Sequence, residues 1–192
     1  MISELENYAK DKNIPIMMPD GIDYLCNYIK EKGVKNILEI GTAIGYSAIR
    51  MALVDEDIKI TTIERDVERY NIACDNIKRF GLEMRITPLL GDAMDVSVSG
   101  MYDLIFIDAS KGHSIDFFNK YKVNLEDDGV IITDNLSFHG LVEDDSLAVT
   151  KNQKGLVKRI RNFIDFLDSN DEFITRYVGV GDKISISFRK KD

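Results

Sequence analysis

Several features of secreted, membrane and cysteine-rich proteins are missing from this 192-residue sequence. Cys26 and Cys74 are its two cysteines, and neither belongs to a C-x-x-C motif, which argues against a disulfide framework or a cysteine-rich zinc site. No apolar run approaches the roughly 20 residues of a membrane-spanning helix. The polar N-terminal stretch has no apolar signal-peptide core. We therefore expect a cytoplasmic protein that does not contact a membrane.

Basic charge is also scarce, since 25 Lys and Arg face 33 Asp and Glu, giving a net charge of −8. The overall field of such a chain repels nucleic acid, so a polynucleotide would need a local basic patch. One candidate patch comprises Lys151, Lys154, Lys158, Arg159 and Arg161 on and before a predicted helix, with Arg189, Lys190 and Lys191 near the C-terminus. A solvated helix face explains the same residues equally well.

Linkers, repeats and low-complexity tracts are absent, and β-branched runs alternate with helix-like stretches. Strands are predicted at 36–40, 58–63, 84–89, 103–107, 129–133, 173–179 and 183–188. Helices are predicted near 2–12, 19–31, 45–54, 66–80, 114–124 and 153–168. This order predicts βαβ units in a mostly parallel α/β sheet, closed by an antiparallel C-terminal hairpin because the last two strands are joined by so short a link.

The turn after the first predicted strand lacks the middle glycine of a dinucleotide-binding motif. That motif, G-x-G-x-x-G, lets the backbone approach a pyrophosphate closely. Here the sequence runs Gly41-Thr42-Ala43-Ile44-Gly45. The turn therefore favours a nucleotide ligand that carries no phosphate at this point.

Acidic residues end, or directly follow, all five predicted parallel strands: Glu39, Glu64, Asp92, Asp108 and Asp134. Ligands of open α/β sheets bind outside the carboxyl ends of the strands, so these acids should converge on one binding crevice. Helix capping would account for one or two of them, because Asp is favoured at N-caps.

Three of these acids indicate which chemical groups the ligand carries. Glu64 stands where a dinucleotide fold places the acceptor for ribose hydroxyls, Asp92 could accept from the exocyclic amine of adenine, and Glu39 beside the glycine turn would repel a pyrophosphate. S-adenosylmethionine carries a ribose, an adenine and an ammonium but no phosphate, and its carboxylate could bind the amides at Gly41 and the helix start. Glu39 as a buried, satisfied acid and Asp92 as a plain cap remain alternatives.

The fourth and fifth strands end in IDASKG and ITDN, which would bring together two carboxylates and one amide from Asp108, Asp134 and Asn135. Oxygen ligands of this kind suit Mg²⁺, and less simply Mn²⁺ or Ca²⁺. Lys111 could then serve as general base, since a lysine beside a cation gives up its proton more readily. The alternatives are a plain turn at Asp134-Asn135 and a surface lysine.

These motifs resemble the cation-dependent class I O-methyltransferases of the catechol and caffeoyl-CoA type. The resemblance rests on LEIGTAIGYSAIRMA, TIERD, GDA, YDLIFIDASKG and GVIITDN, and covers nearly the whole chain. Within that group, IPIM at 14–17, VIITDN and VGVGDKISIS are most similar to the bacterial branch that includes the tRNA 5-hydroxyuridine O-methyltransferase.

The resemblance implies a Rossmann-like domain spanning 1–192, with N-terminal helices in 1–32 and a core in 33–192. It implies seven strands with the last inserted antiparallel, helices on both faces, and a homodimer. Carried over by position, Lys111 is the base, and Asp108, Asp134 and Asn135 bind the metal. The cofactor contacts are Met17, Glu39, Gly41, Ser47, Glu64, Asp92 and Asp108. His139 is a further candidate for contact with the substrate.

Two acceptors suit this chemistry. In a hydroxylated wobble uridine of tRNA, the hydroxyl on C5 and the C4 carbonyl oxygen could chelate a cation as a catechol does. The first hypothesis is therefore a tRNA O-methyltransferase, and the second is an enzyme acting on a small catechol-like phenol. A nucleotide-binding protein without methyl transfer is a third, which the missing glycine and the Asp134-Asn135 pair oppose.

Overall fold

The structure, a computed structural model, describes residues 1–191; Asp192, to which the expected domain extends, and the side chain of Asp145 lie outside the described part. The strands are β1 (Asn36–Ile40), β2 (Lys59–Glu64), β3 (Ile86–Leu90), β4 (Tyr102–Ile107), β5 (Leu125–Thr133), β6 (Phe173–Val178) and β7 (Ile184–Arg189). The α-helices are α1 (Ile2–Asp11), α2 (Pro19–Lys32), α3 (Tyr46–Ala52), α4 (Val67–Arg79), α5 (Ser114–Tyr121) and α6 (Lys151–Asp168).

The strands form one seven-stranded sheet in the order β3-β2-β1-β4-β5-β7-β6. Pairing is parallel from β3 through β5, whereas β7 pairs antiparallel with both β5 and β6. The expected fold class, a mostly parallel Rossmann-like sheet with an antiparallel C-terminal hairpin, is therefore confirmed. The last strand lies between β5 and β6.

Helices cover both faces of the sheet because successive strand residues point to opposite sides. On one face, Ile37 and Phe106 pack with apolar residues of α1 to α4. On the other, Leu38 and Ile105 pack with aromatic and aliphatic residues of α5 and α6. Among the described residues, no helix combines the length and the apolar character that crossing a membrane requires.

Local signals explain most of the helix boundaries. Asp66 caps α4 by accepting from the amide of Arg69, and Gly33 ends α2 in the left-handed conformation. Thr150 and Gln153 form a reciprocal capping box that starts α6 two residues earlier than the sequence predicts.

One strand boundary differs clearly from the prediction. β5 begins at Leu125 instead of 129; Leu125 is buried, and the next three residues, Glu126, Asp127 and Asp128, are exposed. Its pairing with β4 shifts between Tyr102 and Leu104, so an irregular edge precedes the buried segment. Three consecutive acids lack the apolar residues typical of a strand, so the sequence did not predict that β5 begins this early.

Candidate active site

The carboxyl ends of the parallel strands are tied together into one row. The amide of Gly41 donates to the Ile63 carbonyl at 3.0 Å, the amide of Asp108 donates to that of Ile40 at 2.9 Å, and the amide of Asp134 donates to that of Ile107 at 3.3 Å. Each bond links the residue that follows one strand to the last or next-to-last residue of the neighbouring strand. The acids predicted to converge on this edge therefore lie side by side.

Gly41 is required where β1 meets β4. Its φ is +104°, and a Cβ added there would lie 2.2 Å from the carbonyl oxygen of Asp108. Only glycine permits this approach without displacing the backbone of the loop that carries Lys111. The same geometry corrects one expectation, because the Gly41 amide is bonded to Ile63 and so cannot receive the carboxylate of a ligand.

A cavity of about 610 Å³ opens along this edge. It is lined by most of the predicted site residues: Met17, Gly41, Ser47, Glu64, Asp92, Asp108, Lys111, Asn135 and His139. Its volume falls within the usual range for small-molecule sites. The structure thus brings residues from distant parts of the sequence to one pocket.

Glu64 and Asp92 lie on the β2–β3 side of this cavity. Glu64 is 7% exposed, and its two carboxylate oxygens accept from the amides of Ala43 and Asp66 at 2.8 and 2.9 Å. Asp92 accepts from the amide of Met94 at 2.8 Å and has Arg65 at 3.9 Å. Asp92 is therefore both the turn cap considered above and a wall of the cavity.

Glu39 lies behind the cavity wall and is absent from its lining. It is fully buried and accepts from the hydroxyls of Ser47 and Thr62. Burial raises the pKa of Glu39 to about 7, against the two hydrogen bonds, which lower it. Ser47 lines the cavity, so Glu39 lies one hydroxyl behind the lining, as the buried, satisfied acid considered above.

Asp108, Lys111 and Asn135 line the β4–β5 side of the cavity, and Asp134 lies behind them, outside the lining. The Lys111 ammonium donates to the Asp134 carbonyl at 2.8 Å and lies 3.6 Å from Oδ1 of Asp108. Asp134 is 1% exposed. Burial, and after it the charge of Asp108, raises the pKa of Asp134 to about 7. Two carboxyl groups are thus held together in a poorly solvated corner, which favours a bound cation.

The donor set of this corner fits a hard divalent cation. Oδ1 of Asp134 is buried and has no hydrogen-bond partner among the described residues. The amide nitrogen of Asn135 donates to Oδ2 of Asp134 at 3.2 Å, so the amide oxygen is left to bind a ligand. No group of three His, Cys, Asp or Glu side chains in residues 1–191 forms a metal cluster. A cation here would rely on two carboxylates and one amide, an oxygen set typical of Mg²⁺.

The outer part of the cavity is aromatic and contains both histidines of the chain. His113 contacts Asp116 at 3.1 Å and packs against Phe117, while His139 packs against Phe138. Met17 is 3% exposed and lines the cavity, so it belongs to the core and to the site at once. These side chains form a wall that suits a flat acceptor molecule.

Asp182 is a site residue that the sequence analysis missed. It lies in the turn between β6 and β7, is 5% exposed and lines the cavity. Its Oδ1 accepts from the amide of His139 at 2.6 Å. The antiparallel insertion of β7 beside β5 brings Asp182 to the cavity. The one sequence signal for this position is that Asp182 directly precedes a predicted strand, in GDKISIS.

The predicted basic patch is divided by the structure. Lys151, Lys154, Lys158 and Arg159, here called the basic stripe of α6, are exposed. Arg159 approaches the cavity: its Cδ lies 4.0 Å from where a Cβ on Gly112 would be, in the loop after Lys111. Arg161 is half-buried and donates to the Val142 carbonyl.

The C-terminal basic residues do not extend the stripe. Arg189 on β7 lies opposite Phe173 on β6 in the sheet, at the end where β5 begins and away from the cavity. The Lys190 ammonium donates to the Asn170 carbonyl, and Lys191 pairs with Asp128 at 2.7 Å. The expectation that they join one patch with α6 is wrong. Because β7 runs antiparallel to β5, its C-terminal residues lie at the end of the strands opposite to the cavity.

Comparison with known proteins gives one clear family. Residues 1–190 match a family model described as O-methyltransferase. A catechol O-methyltransferase from Niastella koreensis is 33% identical over 157 residues, covering 76% of this chain and 68% of its own.

Solved structures agree with this similarity. A crystal structure from Staphylococcus aureus, provisionally named a caffeoyl-CoA O-methyltransferase, has a TM-score of 0.94 and 33% identity, covering 98% of this chain and 92% of its own. An O-methyltransferase from Bacillus cereus in complex with SAH has a TM-score of 0.84 and 26% identity, covering 98% and 90%.

Proposed function

Because this chain belongs to the O-methyltransferase family, as an S-adenosylmethionine-dependent enzyme of the caffeoyl-CoA and catechol type, we propose that it methylates one of two adjacent oxygens of an acceptor. The observation that carries the proposal is one corner of the cavity, where Lys111 and Asp108 line the wall and the buried Asp134 lies directly behind them. The acceptor oxygen would lie between this corner and the cofactor.

The cofactor would occupy the half of the cavity over β1, β2 and β3. S-adenosylmethionine supplies a methyl group on a cationic sulfur, which an oxygen nucleophile can attack. Glu64 would face the ribose and Asp92 the adenine, while Ser47, backed by Glu39, would face the amino acid end. The acidic lining suits a cofactor with a net positive head and no phosphate.

A divalent cation, Mg²⁺ most simply, would be held by Asp108, Asp134 and Asn135. When bound, such an ion lowers the pKa of an acceptor hydroxyl and fixes its orientation. The unpartnered Oδ1 of Asp134 supports this assignment. The backbone carbonyl of Asp108 lies next to the Gly41 turn, so the same residue would border both the cation and the cofactor.

Lys111 would remove the proton from the acceptor hydroxyl. Its side chain is 13% exposed, and Nζ is held by the Asp134 carbonyl and Asp108 at the acceptor end of the cavity. A cation bound beside it would favour the neutral amine, which is the form that accepts a proton. General-base catalysis of this kind contributes roughly 10²–10⁴-fold to a rate. The aromatic wall of Phe117 and Phe138 would keep water from competing for the methyl group.

We propose hydroxylated uridine in tRNA as the acceptor. Support comes from the basic stripe of α6, which is exposed in an acidic protein and at Arg159 lies close to Gly112, between the cavity residues Lys111 and His113. Phosphates of the RNA would contact the stripe while the modified base enters the cavity. The flat, aromatic outer wall suits a nucleobase lifted out of its stack.

A small catechol-like phenol is the second candidate. It is favoured by the similarity to the Niastella koreensis catechol O-methyltransferase and by the same aromatic wall, which fits a benzene ring as well as a pyrimidine. Both acceptors carry two adjacent oxygens, so the chemistry at Lys111 does not separate them.

A parallel incubation separates the two acceptors. The protein is given labelled S-adenosylmethionine and Mg²⁺ with unmodified bulk tRNA, hydroxyuridine-containing tRNA or catechol. We expect label in the hydroxyuridine-containing tRNA and none in the unmodified tRNA. Label in catechol alone would contradict the RNA proposal and leave the methyltransferase assignment intact.

Charge reversal on α6 tests the RNA surface directly. Lys158→Glu with Arg159→Glu should lower the rate with tRNA, and should flatten its dependence on salt, because fewer phosphate contacts release fewer ions. The matched control is Lys190→Glu with Lys191→Glu, which makes the same charge change at the opposite edge of the sheet. Equal rates for all three proteins would exclude the stripe as an RNA contact.

The homodimer implied by the resemblance also stays a proposal. Light scattering after size-exclusion chromatography measures it without reference to activity. A mass equal to twice that of the chain supports the dimer, and a monomeric mass contradicts it.

A further inference from the structure

The loop after β5, residues 134–140, has an unusual concentration of strained backbone. Six non-glycine residues in the described chain have positive φ, and three of them are Asn135 at 59°, Phe138 at 49° and His139 at 57°. A non-glycine residue in this region costs about 1 kcal/mol or more. Such a conformation persists only where neighbouring groups hold it, and this loop carries Asn135 and one wall of the cavity.

The turn between β6 and β7, residues 179–183, supplies those neighbours. The amides of Leu136 and Ser137 donate to the carbonyls of Lys183 and Asp182, each at 3.0 Å. The amide of His139 donates to Oδ1 of Asp182 at 2.6 Å. The last of these bonds is the one that depends on a side chain, and it holds one of the strained residues directly.

The β6–β7 turn is itself anchored on its other side. The amide of Gly181 donates to Oδ2 of Asp20 at 3.0 Å, at the start of α2. A Cβ on Gly181 would lie 3.2 Å from Cα of Gly21, so the two backbones pack without space between them. Since α2 is a 14-residue helix that buries Ile22, Leu25 and Ile29 against the core, the turn offers the loop a rigid support.

We propose that Asp182 is a positioning residue: its carboxylate holds the loop after β5 in the strained conformation and thereby sets the affinity of Asp108, Asp134 and Asn135 for a divalent cation. The inference rests on the proposed function, because it takes those three residues as the cation ligands. Asp182 acts through the His139 amide. Side chains that orient metal ligands commonly change affinity by about 10–100-fold when they are removed.

Three substitutions separate positioning from charge. Asp182→Ala removes the acceptor and the charge, and Asp182→Asn keeps an acceptor oxygen of the same reach but removes the charge. Asp182→Glu keeps the charge and moves the carboxylate by one methylene. The control is Asp144→Ala, which removes an exposed carboxylate from the segment just beyond the loop.

Mn²⁺ binding measured by calorimetry on the full chain gives the first readout. Positioning predicts a loss of at least about 10-fold for Asp182→Ala, a change within about threefold for Asp182→Asn, and no change for the control. Asp182→Glu should bind more weakly than wild type, and it replaces the alanine variant if that does not fold. Equal losses for Asp182→Ala and Asp182→Asn, or no loss in any variant, would overturn the proposal.

Amide hydrogen exchange without added cation gives the second readout. The amides of residues 136–139 should exchange at least about 10-fold faster in Asp182→Ala and at the wild-type rate in Asp182→Asn, since only the former loses the bond to His139. Unchanged exchange in Asp182→Ala would also overturn the proposal. If wild-type protein binds no Mn²⁺ while the exchange result holds, the cation site of the proposed function fails and the positioning by Asp182 stands.

Discussion

Glu39 is a buried carboxyl group whose protonation links stability to pH. It is fully buried, and burial raises its pKa from 4.5 to about 7. Between these two values the folded protein retains a proton that the unfolded chain has released. The folded state binds more protons there, so this group makes stability fall as pH rises through that window. Above it, Glu39 is ionised in both states and its full cost is present.

Glu39→Gln should therefore remove a pH-dependent destabilisation. The substituted amide keeps an acceptor oxygen for the Ser47 or Thr62 hydroxyl but does not ionise. Measured by urea unfolding, the stability of the variant relative to wild type should increase by roughly 3 kcal/mol between pH 4.5 and pH 8. Glu126→Gln, at an exposed position on β5, is the control. Parallel curves for wild type and Glu39→Gln would contradict the buried-acid assignment.

Single residues were predictable from the sequence where their position along a strand was sufficient. Glu64, Asp92, Asp108 and Asp134 follow strand ends, and they line or border one cavity. Which face of the sheet each side chain occupies was not predictable in the same way. Glu39 lies on the same face as Ile37, so its side chain points beneath α3. Asp182 was missed because its role depends on which strand β7 joins.

At the scale of elements, α5 holds the loop after β3, which forms the Asp92 side of the cavity. The Lys120 ammonium donates to the carbonyls of Ala93, Met94 and Val96 at 2.9, 2.7 and 2.7 Å. The hydroxyl of Tyr121 bonds to Ala93 as well, at 2.7 Å. A charged donor satisfies three carbonyls of an irregular segment, so α5 fixes the conformation of the loop after β3.

Lys120→Met should loosen that loop and weaken cofactor binding. It keeps most of the apolar stem but removes the ammonium, and hydrogen bonds to charged groups are worth about 1.5–3 kcal/mol each. We expect KM for S-adenosylmethionine to rise about 10-fold with kcat little changed, and Lys120→Arg to restore part of the loss.

Lys122→Met is the matched control for this prediction. Lys122 lies just after α5 and pairs with Glu172, away from the loop after β3. A fall in kcat with KM unchanged in Lys120→Met, or the same change in Lys122→Met, would show that Lys120 does not act through this loop.

Element boundaries followed from the sequence where one local signal dominated. Short β-branched runs marked all seven strands, and Asp66 marked the start of α4. The exceptions are the start of β5, whose acidic residues lack a strand pattern, and the start of α6, where the Thr150 capping box extends the helix. The contacts of Lys120 were not predictable, because they join segments that are adjacent only after folding.

At the scale of the whole molecule, the order of strands determines how the cavity is divided. Hydrophobic periodicity predicted a parallel sheet, but it contains no information on which strand neighbours which. The insertion of β7 between β5 and β6 was implied only by the family resemblance. The observed order, β3-β2-β1-β4-β5, puts Asp92 and Glu64 at one end of the cavity and Asn135, with the buried Asp134 behind it, at the other, with Asp108 between them.

This division predicts two separable gains in stability when ligands bind. A ligand at 100 times its Kd stabilises the folded state by about 2.7 kcal/mol, which corresponds to a rise in Tm of roughly 5–10 °C for a chain of this size. Wild type should show one shift with S-adenosylhomocysteine and a further one when Mg²⁺ is added. Asp134→Ala should keep the first and lose the second, because Asp134 lies over β5, away from the strands that face the cofactor.

Thermal unfolding of four samples per protein tests this division: no ligand, each ligand alone, and both together. Asp75→Ala, which removes an exposed acid of α4, should behave as wild type in all four. A Mg²⁺ shift that survives in Asp134→Ala would place the cation elsewhere. Loss of the S-adenosylhomocysteine shift in the same variant would mean that β5 also supports the cofactor. Only the retained cofactor shift with a lost cation shift agrees with a cavity divided by strand order.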